Sequence, residues 1–362
     1  MQKLCCIFNY APLYRSSIYK KIDKVFDAQF YFSDMISDIA KMDYKDFKRY
    51  PKTVRDRKIF GKALWRKDIL FLPFKKYQHY LVIGDFSLSY FPFIILCHLL
   101  GKKVYAWGHG SKSFNGKLKW FIKWFYHHCD VFFTYGEGGK QRLIELGVPK
   151  EKLRVIYNSL NAGVDGKTQL KYKNTQFFEY FKNDYPVLLF VGRLTKVKKL
   201  DWIIKAHSYH KANGINYNVI IIGNGPEKHS LEDLAYKHNK DNNVWFYGEC
   251  YNEDELSTLI YNADLCVSPG NVGLTSLHAM SYGTPVISND DFESQMPEYE
   301  SIVVGKTGDL YKKNDFNDFC KKIECWLSND FNRGEIRQNC YDIINNKYNS
   351  KYQIELLKEI IR

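Results

Sequence analysis

The second half of the chain contains a glycine next to two cations, a combination suited to binding phosphate. Gly192 ends a strand-like run and is followed by Arg193 and, a few residues later, by Lys198. Glycine permits a tight exit from a strand, and an arginine with a lysine suits a diphosphate. A basic loop is also an ordinary solvated surface, so this loop alone leaves both interpretations open.

A second glycine turn, Gly223-Asn224-Gly225-Pro226, follows another strand-like run and opens a helix-length segment. Glycines at this point allow close approach of the backbone, and a helix N-terminus attracts anions. The dinucleotide-binding fingerprint is incomplete, because Lys228 stands where its third glycine belongs. A plain turn therefore remains open as an alternative.

The most informative block runs from residue 264 to residue 287. A strand-like run enters a glycine-rich loop, which is followed by a short helix, Gly283 and another strand. The backbone amides of Gly273, Leu274 and Thr275 begin that short helix. They are placed to receive a phosphate with the help of the helix dipole.

The elements that must position these loops alternate along the whole chain. Short β-branched or aromatic runs alternate with helix-length segments, which predicts an α/β fold with parallel sheets. The predicted strands include 4–8, 29–32, 69–72, 80–83, 103–107, 131–134 and 153–156 in the first half, and 187–191, 217–222, 244–247, 265–267 and 285–288 in the second. Two tandem doubly wound, Rossmann-like domains are expected, over 1–165 and 184–345, with 161–183 as the linker. Such domains place the carboxyl ends of both sheets beside one cleft.

The order of these pieces resembles the nucleotide-sugar domain of glycosyltransferase family 4 (group 1), which has the GT-B fold. The good match covers about residues 186–328, and a fainter one covers 103–160. It includes the Gly-Arg-Leu…Lys loop, the Gly-x-Gly-Pro turn, the turn at Gly248, the 264–287 block and the later segment that begins at Met296. The resemblance further implies that the last helix, 346–362, packs back on the N-terminal domain.

The resemblance implies a retaining hexosyl- or N-acetylhexosaminyltransferase that uses a nucleotide-sugar donor and no metal or other cofactor. Its acceptor would be a glycan or a polyprenyl-diphosphate-linked sugar, and its setting bacterial surface-polysaccharide synthesis. Arg193 and Lys198 would hold the diphosphate, and the 247–252 region would line the base. The remaining donor-binding residues would be Gly192, Gly225, Asn271, Gly273, Leu274, Thr275 and His278.

The sequence departs from the family at a pair of glutamates with the spacing Glu-x7-Glu. The two positions here are Gly270 and His278. The first glutamate normally bonds the donor sugar and the second the ribose. His278 can still bond a ribose hydroxyl through one ring nitrogen, whereas Gly270 cannot replace a carboxylate, and Asn271 or Asn289 would have to reach instead. The intact remainder of the block favours altered donor contacts over lost activity.

Two residues of the first half are candidates for the same reaction. His109 ends a predicted strand between two glycines, where the family places a catalytic-site histidine that contacts the donor sugar. We expect it to hydrogen-bond the sugar and to stabilise an oxocarbenium-like transition state, although a lone histidine is often structural. Arg15 lies where relatives have a glycine-rich acceptor loop, and it is predicted to meet an acceptor phosphate.

The charge of the chain is concentrated in its first half. The formal net charge is +13, and residues 1–180 carry 32 Lys and Arg against 15 Asp and Glu. Within 112–128, Lys117, Lys119 and Lys123 alternate with aromatic residues that include Trp120 and Trp124. Such a helix suits an anionic membrane surface, or its aromatic face packs on its own sheet. No recognition motif supports nucleic acid as the partner.

The composition is that of a globular chain, with 45% hydrophobic and 26% charged residues, which excludes dominant disorder. Nine cysteines without a Cys-x-x-Cys pair indicate neither a disulfide framework nor a zinc site. The N-terminus has no signal-peptide layout, and the longest apolar run, 88–100, is shorter than the roughly 20 residues that span a bilayer. These features predict a cytoplasmic protein, peripheral on the inner face of the membrane.

Two other functions stay open at this stage. A non-catalytic GT-B subunit would bind nucleotide or membrane and transfer nothing, and the missing glutamates favour it. A nucleotide-sugar epimerase would use the same fold without an acceptor, but it needs carboxylates for acid–base work.

Overall fold

Two parallel β-sheets organise the chain, one in each of two structural units. The computed structural model describes residues 3–33, 40–59, 63–84, 87–110, 119–160, 175–238, 242–328 and 331–362. The first unit comprises Met1–Asn161 with Lys347–Arg362, and the second comprises Ala162–Asn346. The strands are β1 (Lys3–Phe8), β2 (Asp27–Ser33), β3 (Lys52–Val54), β4 (Arg57–Ile59), β5 (Ala63–Trp65), β6 (His79–Ile83), β7 (Lys103–Gly108), β8 (Val131–Thr134), β9 (Leu153–Val155), β10 (Val187–Val191), β11 (Asn218–Ile222), β12 (Val244–Gly248), β13 (Leu265–Val267), β14 (Val286–Asn289) and β15 (Gly308–Tyr311).

The helices alternate with these strands. They are α1 (Ser16–Val25), α2 (Tyr90–Leu99), α3 (Lys119–His128), α4 (Glu137–Glu145), α5 (Thr175–Phe181), α6 (Asp201–Ala212), α7 (Lys228–His238), α8 (Glu253–Asn262), α9 (Leu274–Ser281), α10 (Phe316–Ser328), α11 (Arg333–Asn346) and α12 (Ser350–Ile360). This alternation is the expected α/β pattern of parallel sheets.

The sheet of the first unit has seven strands in the order β3-β2-β1-β6-β7-β8-β9, and all of its neighbouring strands are parallel. One buried cluster includes side chains of α1 and α12, and another includes side chains of α2 and α3. Strands β4 and β5 form a separate antiparallel pair.

The sheet of the second unit has six parallel strands in the order β12-β11-β10-β13-β14-β15. Numbered within the unit this order is 3-2-1-4-5-6, the doubly wound arrangement of dinucleotide-binding domains. Strand β10 and residues 219–222 of β11 are fully buried apolar runs, as expected for strands covered on both faces. The order reverses between β10 and β13, and that point positions the candidate site.

One sequence prediction of local structure was wrong. Residues 69–72, predicted as a strand, lie in a 3₁₀ segment, Lys67–Phe74, in which Pro73 cannot donate to a ladder. The stretch 161–183, which was interpreted as the linker, contains helix α5, and residues 161–174 lie outside the described residues. Phe177 and Phe181, four residues apart on α5, are both buried.

The last helix, α12, packs on the first unit. The hydroxyls of Ser17 and Ser350 lie 2.8 Å apart, and the Gln353 side-chain amide donates to the Tyr157 carbonyl at 2.8 Å. Leu357 is fully buried in the same cluster as α1. These contacts explain why residues from Lys347 onward belong to the first unit.

Candidate functional site

The candidate site of the second unit lies at the switch point of its sheet. In open α/β sheets, ligands bind outside the carboxyl ends of the strands where the strand order reverses. Here those ends belong to β10 and β13, whose following loops contain Gly192 and the segment 268–273. The two loops that the sequence selected for phosphate chemistry are therefore neighbours in the fold.

Lys198 connects these two loops. Its Nζ donates to the Asn271 carbonyl at 2.7 Å, while its own carbonyl accepts from the Gly270 amide at 2.9 Å. Burial lowers the pKa of Lys198 to about 8, and the charge of Glu298 opposes that shift. The ammonium is thus a cation with little water around it, held beside the start of α9. Arg193 is exposed in the same loop.

Helix α9 begins at this point with a glycine in an unusual conformation. Gly273 precedes Leu274 with a φ of +54°, a region that favours glycine. A Cβ built on Gly273 would lie 4.0 Å from Lys198 Nζ. The first amides of a helix have no acceptor within the helix, so the helix start and the lysine together form an anion-binding environment. The Thr275 hydroxyl donates to the Val191 carbonyl at 3.0 Å, which ties α9 to β10.

The Gly-x-Gly turn packs against the loop that follows β10. A Cβ on Gly223 would overlap the Gly192 carbonyl, and a Cβ on Gly225 would overlap the Leu194 carbonyl. The Leu194 amide donates to the Asn224 carbonyl at 2.8 Å. These contacts alone account for both glycines of the turn, and a donor contact of Gly225 stays a prediction.

Gly270 has no room for a side chain. A Cβ there would overlap the Val197 carbonyl oxygen and would lie 2.7 Å from Lys198 Cα. The backbone of the loop after β13 runs directly against the loop after β10. The path of the main chain at this position therefore leaves no space for the family's first glutamate.

Two side chains, those of Asn289 and Gln295, form hydrogen bonds with the backbone of the loop that follows β13. Asn289, which was considered as a substitute for that glutamate, is buried and donates to the carbonyls of Pro269 and Gly270 at 3.1 and 2.9 Å. Gln295, which sequence reasoning missed, donates to Ser288 Oγ at 2.8 Å and accepts from the Val272 amide at 2.8 Å. Asn289 thus supports the loop instead of replacing the carboxylate. Only its position shortly before the Met296 segment could have drawn attention to Gln295.

His278, at the second glutamate position, contacts a carboxylate from another helix. Its Nε2 donates to Glu253 Oε1 at 2.9 Å, and the Tyr282 hydroxyl donates to the same oxygen at 2.5 Å. Burial raises the pKa of the Glu253 carboxyl, but the hydrogen bond and charge of His278 and the Tyr282 hydroxyl lower it more, leaving it below its usual value. Sequence reasoning missed Glu253, which lies outside the motif.

In the first unit, the structure brings Arg15 and His109 to one aromatic ring. The His109 ring lies 5.0 Å from that of Tyr135, and the Arg15 guanidinium carbon lies 5.0 Å from the same ring and 5.8 Å from that of Trp107. Arg15 is 8% exposed. Its Nε and the Trp107 Nε1 have no hydrogen-bond partner within the described part of the chain. The two candidates therefore share one location at the carboxyl edge of the first sheet.

The membrane-binding candidates are described only in part. Lys117 and the side chain of Lys119 lie outside the described residues. Trp120 is 60% exposed and Lys123 is exposed, whereas the Trp124 ring stacks 4.0 Å from that of His128. The inward side chains of α3, such as Phe125, are buried in the core. Among the described residues, no helix is long and apolar enough to cross a bilayer, and no group of three or more acidic, His or Cys side chains is placed to hold a metal ion.

The fold defined by these two units is the GT-B fold, with two Rossmann-like domains. Among solved structures, Anabaena HepE in complex with UDP aligns with 100% of this chain and 99% of its own, with a TM-score of 0.74 and 14% identity. A similarity at 14% identity shows the fold alone.

Two family models match the sequence itself. Glycosyl transferases group 1 matches residues 172–347, and Glycosyltransferase Family 4 matches residues 63–163. Together they cover most of the chain, which belongs to this glycosyltransferase family.

Curated relatives match only part of the chain. The uncharacterized glycosyltransferase MJ1607 of Methanocaldococcus jannaschii is 30% identical over 171 residues, 45% of this chain and 42% of that protein. The capsular polysaccharide biosynthesis glycosyltransferase CapM of Staphylococcus aureus is 25% identical over 255 residues, 67% of this chain and 65% of that protein. The matches thus cover between about two fifths and two thirds of the length of these relatives.

Proposed function

We propose that this protein is a retaining glycosyltransferase that moves a sugar from a nucleotide-sugar donor to a glycan or lipid-linked acceptor in bacterial surface-polysaccharide synthesis. Family membership supports the reaction class, and the name of CapM supports the setting. The UDP bound to HepE supports a nucleotide-sugar donor. The observation that carries the proposal is Lys198, a partly buried cation at the start of α9 and at the switch point of the sheet.

The proposed reaction follows a front-face course. The bond between C1 of the sugar and the diphosphate oxygen breaks, and the acceptor hydroxyl bonds to C1 on the same face. Its proton passes to an oxygen of the leaving diphosphate, so no protein base is required. Arg193, Lys198 and the first amides of α9 would stabilise the negative charge that develops on that diphosphate.

The first unit would supply the other contacts. His109 is proposed to hydrogen-bond the donor sugar, and Arg15 to bind a phosphate of the acceptor. Both pack against Tyr135, so one rigid aromatic ring supports them. The exposed Trp120 and Lys123 support the further proposal that α3 contacts an anionic membrane.

Gly270 favours a second candidate function, that of a non-catalytic subunit. The main chain leaves no space there for a carboxylate that would bind the donor sugar. Such a subunit would bind nucleotide but transfer sugar only together with a second protein. An epimerase has no comparable support from the site.

A thermal-shift panel tests donor binding directly. Sugar nucleotides of UDP, GDP, CMP, TDP and ADP are added with and without EDTA, and a ligand at 100 times its Kd should add about 2.7 kcal/mol of stability. We expect one nucleotide class to stabilise the protein, and to do so equally in EDTA. No shift with any of them would contradict the proposal.

Turnover and point variants complete the test. K198A and R193A are expected to lower turnover at subsaturating donor, whereas K196A, which removes an exposed lysine of the same turn, is expected to leave it unchanged. NMR of the product should show the anomeric configuration of the donor. Transfer that occurs only after a second protein is added would favour the non-catalytic subunit.

A further inference from the structure

Glu253 lies outside the sequence motif, but its carboxylate contacts His278 of the candidate donor site. It is the first residue of α8, in the segment that follows β12. Its two hydrogen bonds, from His278 and Tyr282, both end on Oε1. Among the residues that the structure describes, Oε2 has no hydrogen-bond partner, so it can accept from a ligand. The Glu253 side chain is 47% exposed, and that of His278 is 15% exposed.

The position of this carboxylate fits the middle of a nucleotide. His278 is four residues beyond Leu274, so it lies on the same face of α9 and about 6 Å further along the axis. The phosphate-binding start of the helix is thus one turn away. Residues 249–252, between β12 and α8, lie immediately before Glu253 in the chain. A nucleoside diphosphate with its phosphates at α9 and its base at this segment would bring its ribose to Glu253.

The charge state of Glu253 suits a diol. The contacts of His278 and Tyr282 keep its pKa below the usual value despite burial, so the group is ionised at neutral pH. It also stands at the N-terminus of α8, where the helix dipole favours negative charge. An ionised carboxylate accepts hydrogen bonds from ribose hydroxyls, as acidic residues do in dinucleotide-binding domains.

We infer that Glu253, oriented by His278 and Tyr282, is the residue that binds the ribose hydroxyls of the nucleotide. The inference rests on the proposed function, because it takes the ligand of this site to be a nucleotide. It assigns His278 a positioning role. His278 stands where the family has its second glutamate, and it orients the Glu253 carboxylate that takes the place of that glutamate. A purely structural ion pair would have the same geometry, so the test must respond to the ribose itself.

The experiment measures by calorimetry, on the full chain, how tightly each ribonucleoside diphosphate binds compared with its 2′-deoxy form. The two pairs of probes are UDP with 2′-deoxy-UDP and GDP with 2′-deoxy-GDP. The wild type is expected to bind the ribose form about tenfold tighter or more, since the hydrogen bond involves a charged acceptor. E253A should reduce this preference to near unity and leave binding of the deoxy form almost unchanged. E253Q should retain part of the preference.

A matched control is the neighbouring exposed residue. D254A removes one negative charge from the same first turn of α8, and it should retain the full preference for ribose. H278A should lower the preference as well, because Glu253 loses one of its two anchors. Melting curves verify that each variant is folded, and if E253A is unstable the isosteric E253Q is read in its place.

The outcomes separate the two levels of inference. If the wild type binds no nucleotide of the thermal-shift panel, the proposed donor site itself is wrong. If nucleotides bind and E253A and E253Q keep the wild-type preference for ribose, the assignment of Glu253 is overturned while the proposed function stands. A loss of the preference in E253A but not in D254A supports the assignment.

Discussion

If Lys198 binds the diphosphate as proposed, nucleotide affinity should depend on pH in a defined direction. Burial lowers the pKa of its ammonium to about 8, so the group is charged at pH 7 and mostly neutral at pH 9.5. A nucleoside diphosphate needs the charged form. Its own phosphate ionises near pH 6, so the charge of the ligand is constant above pH 7. Affinity should therefore fall as pH rises through about 8.

The size of the expected fall in affinity follows from the loss of one charged hydrogen bond, between the Lys198 ammonium and the phosphate. Lys198 Nζ already lies 2.7 Å from the Asn271 carbonyl, at the start of α9. A hydrogen bond to a charged group contributes roughly 1.5–3 kcal/mol, which corresponds to about 10- to 150-fold in Kd. The decline begins near pH 8 and ends at the higher pKa that Lys198 acquires beside a bound phosphate.

Folding stability should change in the opposite direction. The pKa of Lys198 is lower in the folded chain than its ordinary value of 10.5, so the unfolded chain binds more protons between about pH 8 and 10.5. The contribution of this group to the free energy of unfolding therefore rises over that window. A loss of affinity through partial unfolding would instead lower both quantities together.

The assay is calorimetric titration of the nucleoside diphosphate that stabilises the protein, at half-unit steps from pH 7 to 10. K198R keeps its charge throughout and should lose the pH dependence, whereas K198M should bind weakly at every pH. E298Q removes the charge that raises the pKa of Lys198 and should move the decline to lower pH. K196R is the control with a wild-type profile. A flat wild-type profile, or full affinity in K198M, would refute the reasoning.

Three further predictions concern the loops and the surface. G270A is expected to lower the melting temperature and nucleotide affinity together, because the new Cβ meets the Val197 carbonyl; a variant that melts and binds like the wild type would show that the loop yields easily. Q295A should lower the free energy of unfolding by about 1–3 kcal/mol in urea titrations, since it leaves the buried Val272 amide without its acceptor; Q295E keeps an acceptor for that amide but turns a buried carboxylate oxygen toward the carbonyls of Asn289 and Gly270, so it should be at least as destabilising. W120A should weaken sedimentation with anionic but not zwitterionic vesicles, and unchanged sedimentation would remove α3 from the membrane proposal.

The fold could be predicted because its signals are repeated along the chain. Fully apolar runs such as Val187–Val191 have few alternatives to a buried parallel strand, and their alternation with helices indicates doubly wound domains. The apolar run at 69–72 failed because a short run has no period that separates a strand from a helical turn, and Pro73 follows it. The short strand β3 is mostly exposed and polar, so no hydrophobic pattern marks it.

Residues of the candidate site were proposed from the sequence only where they follow one another along a motif, and their roles stay predictions. Lys198 and Gly273 were found because each stands beside a glycine loop, and the switch point brings these loops together. Gln295 and Glu253 were missed because the contacts that connect them to the site, with the Val272 amide and with His278, are made to residues more than twenty positions away in the sequence. Glu253 follows the helix-capping Asn252, and an acidic residue there is already explained by the helix dipole. Only the contact of Glu253 with His278 in the folded chain marks it as more than a residue that favours the start of a helix.

The two departures from the family's glutamate pair therefore differ in kind. At Gly270 the main chain excludes any side chain, so a substitution such as G270E restores no carboxylate and disturbs the loop instead. At His278 a carboxylate is present, supplied by Glu253, and H278E would set two negative charges against each other. If Glu253 binds the ribose, the nucleotide half of the donor is recognised in full and the sugar half has lost one anchor. We then expect the protein to discriminate strongly among nucleotides and weakly among sugars, and a panel of sugars on one nucleotide measures that difference.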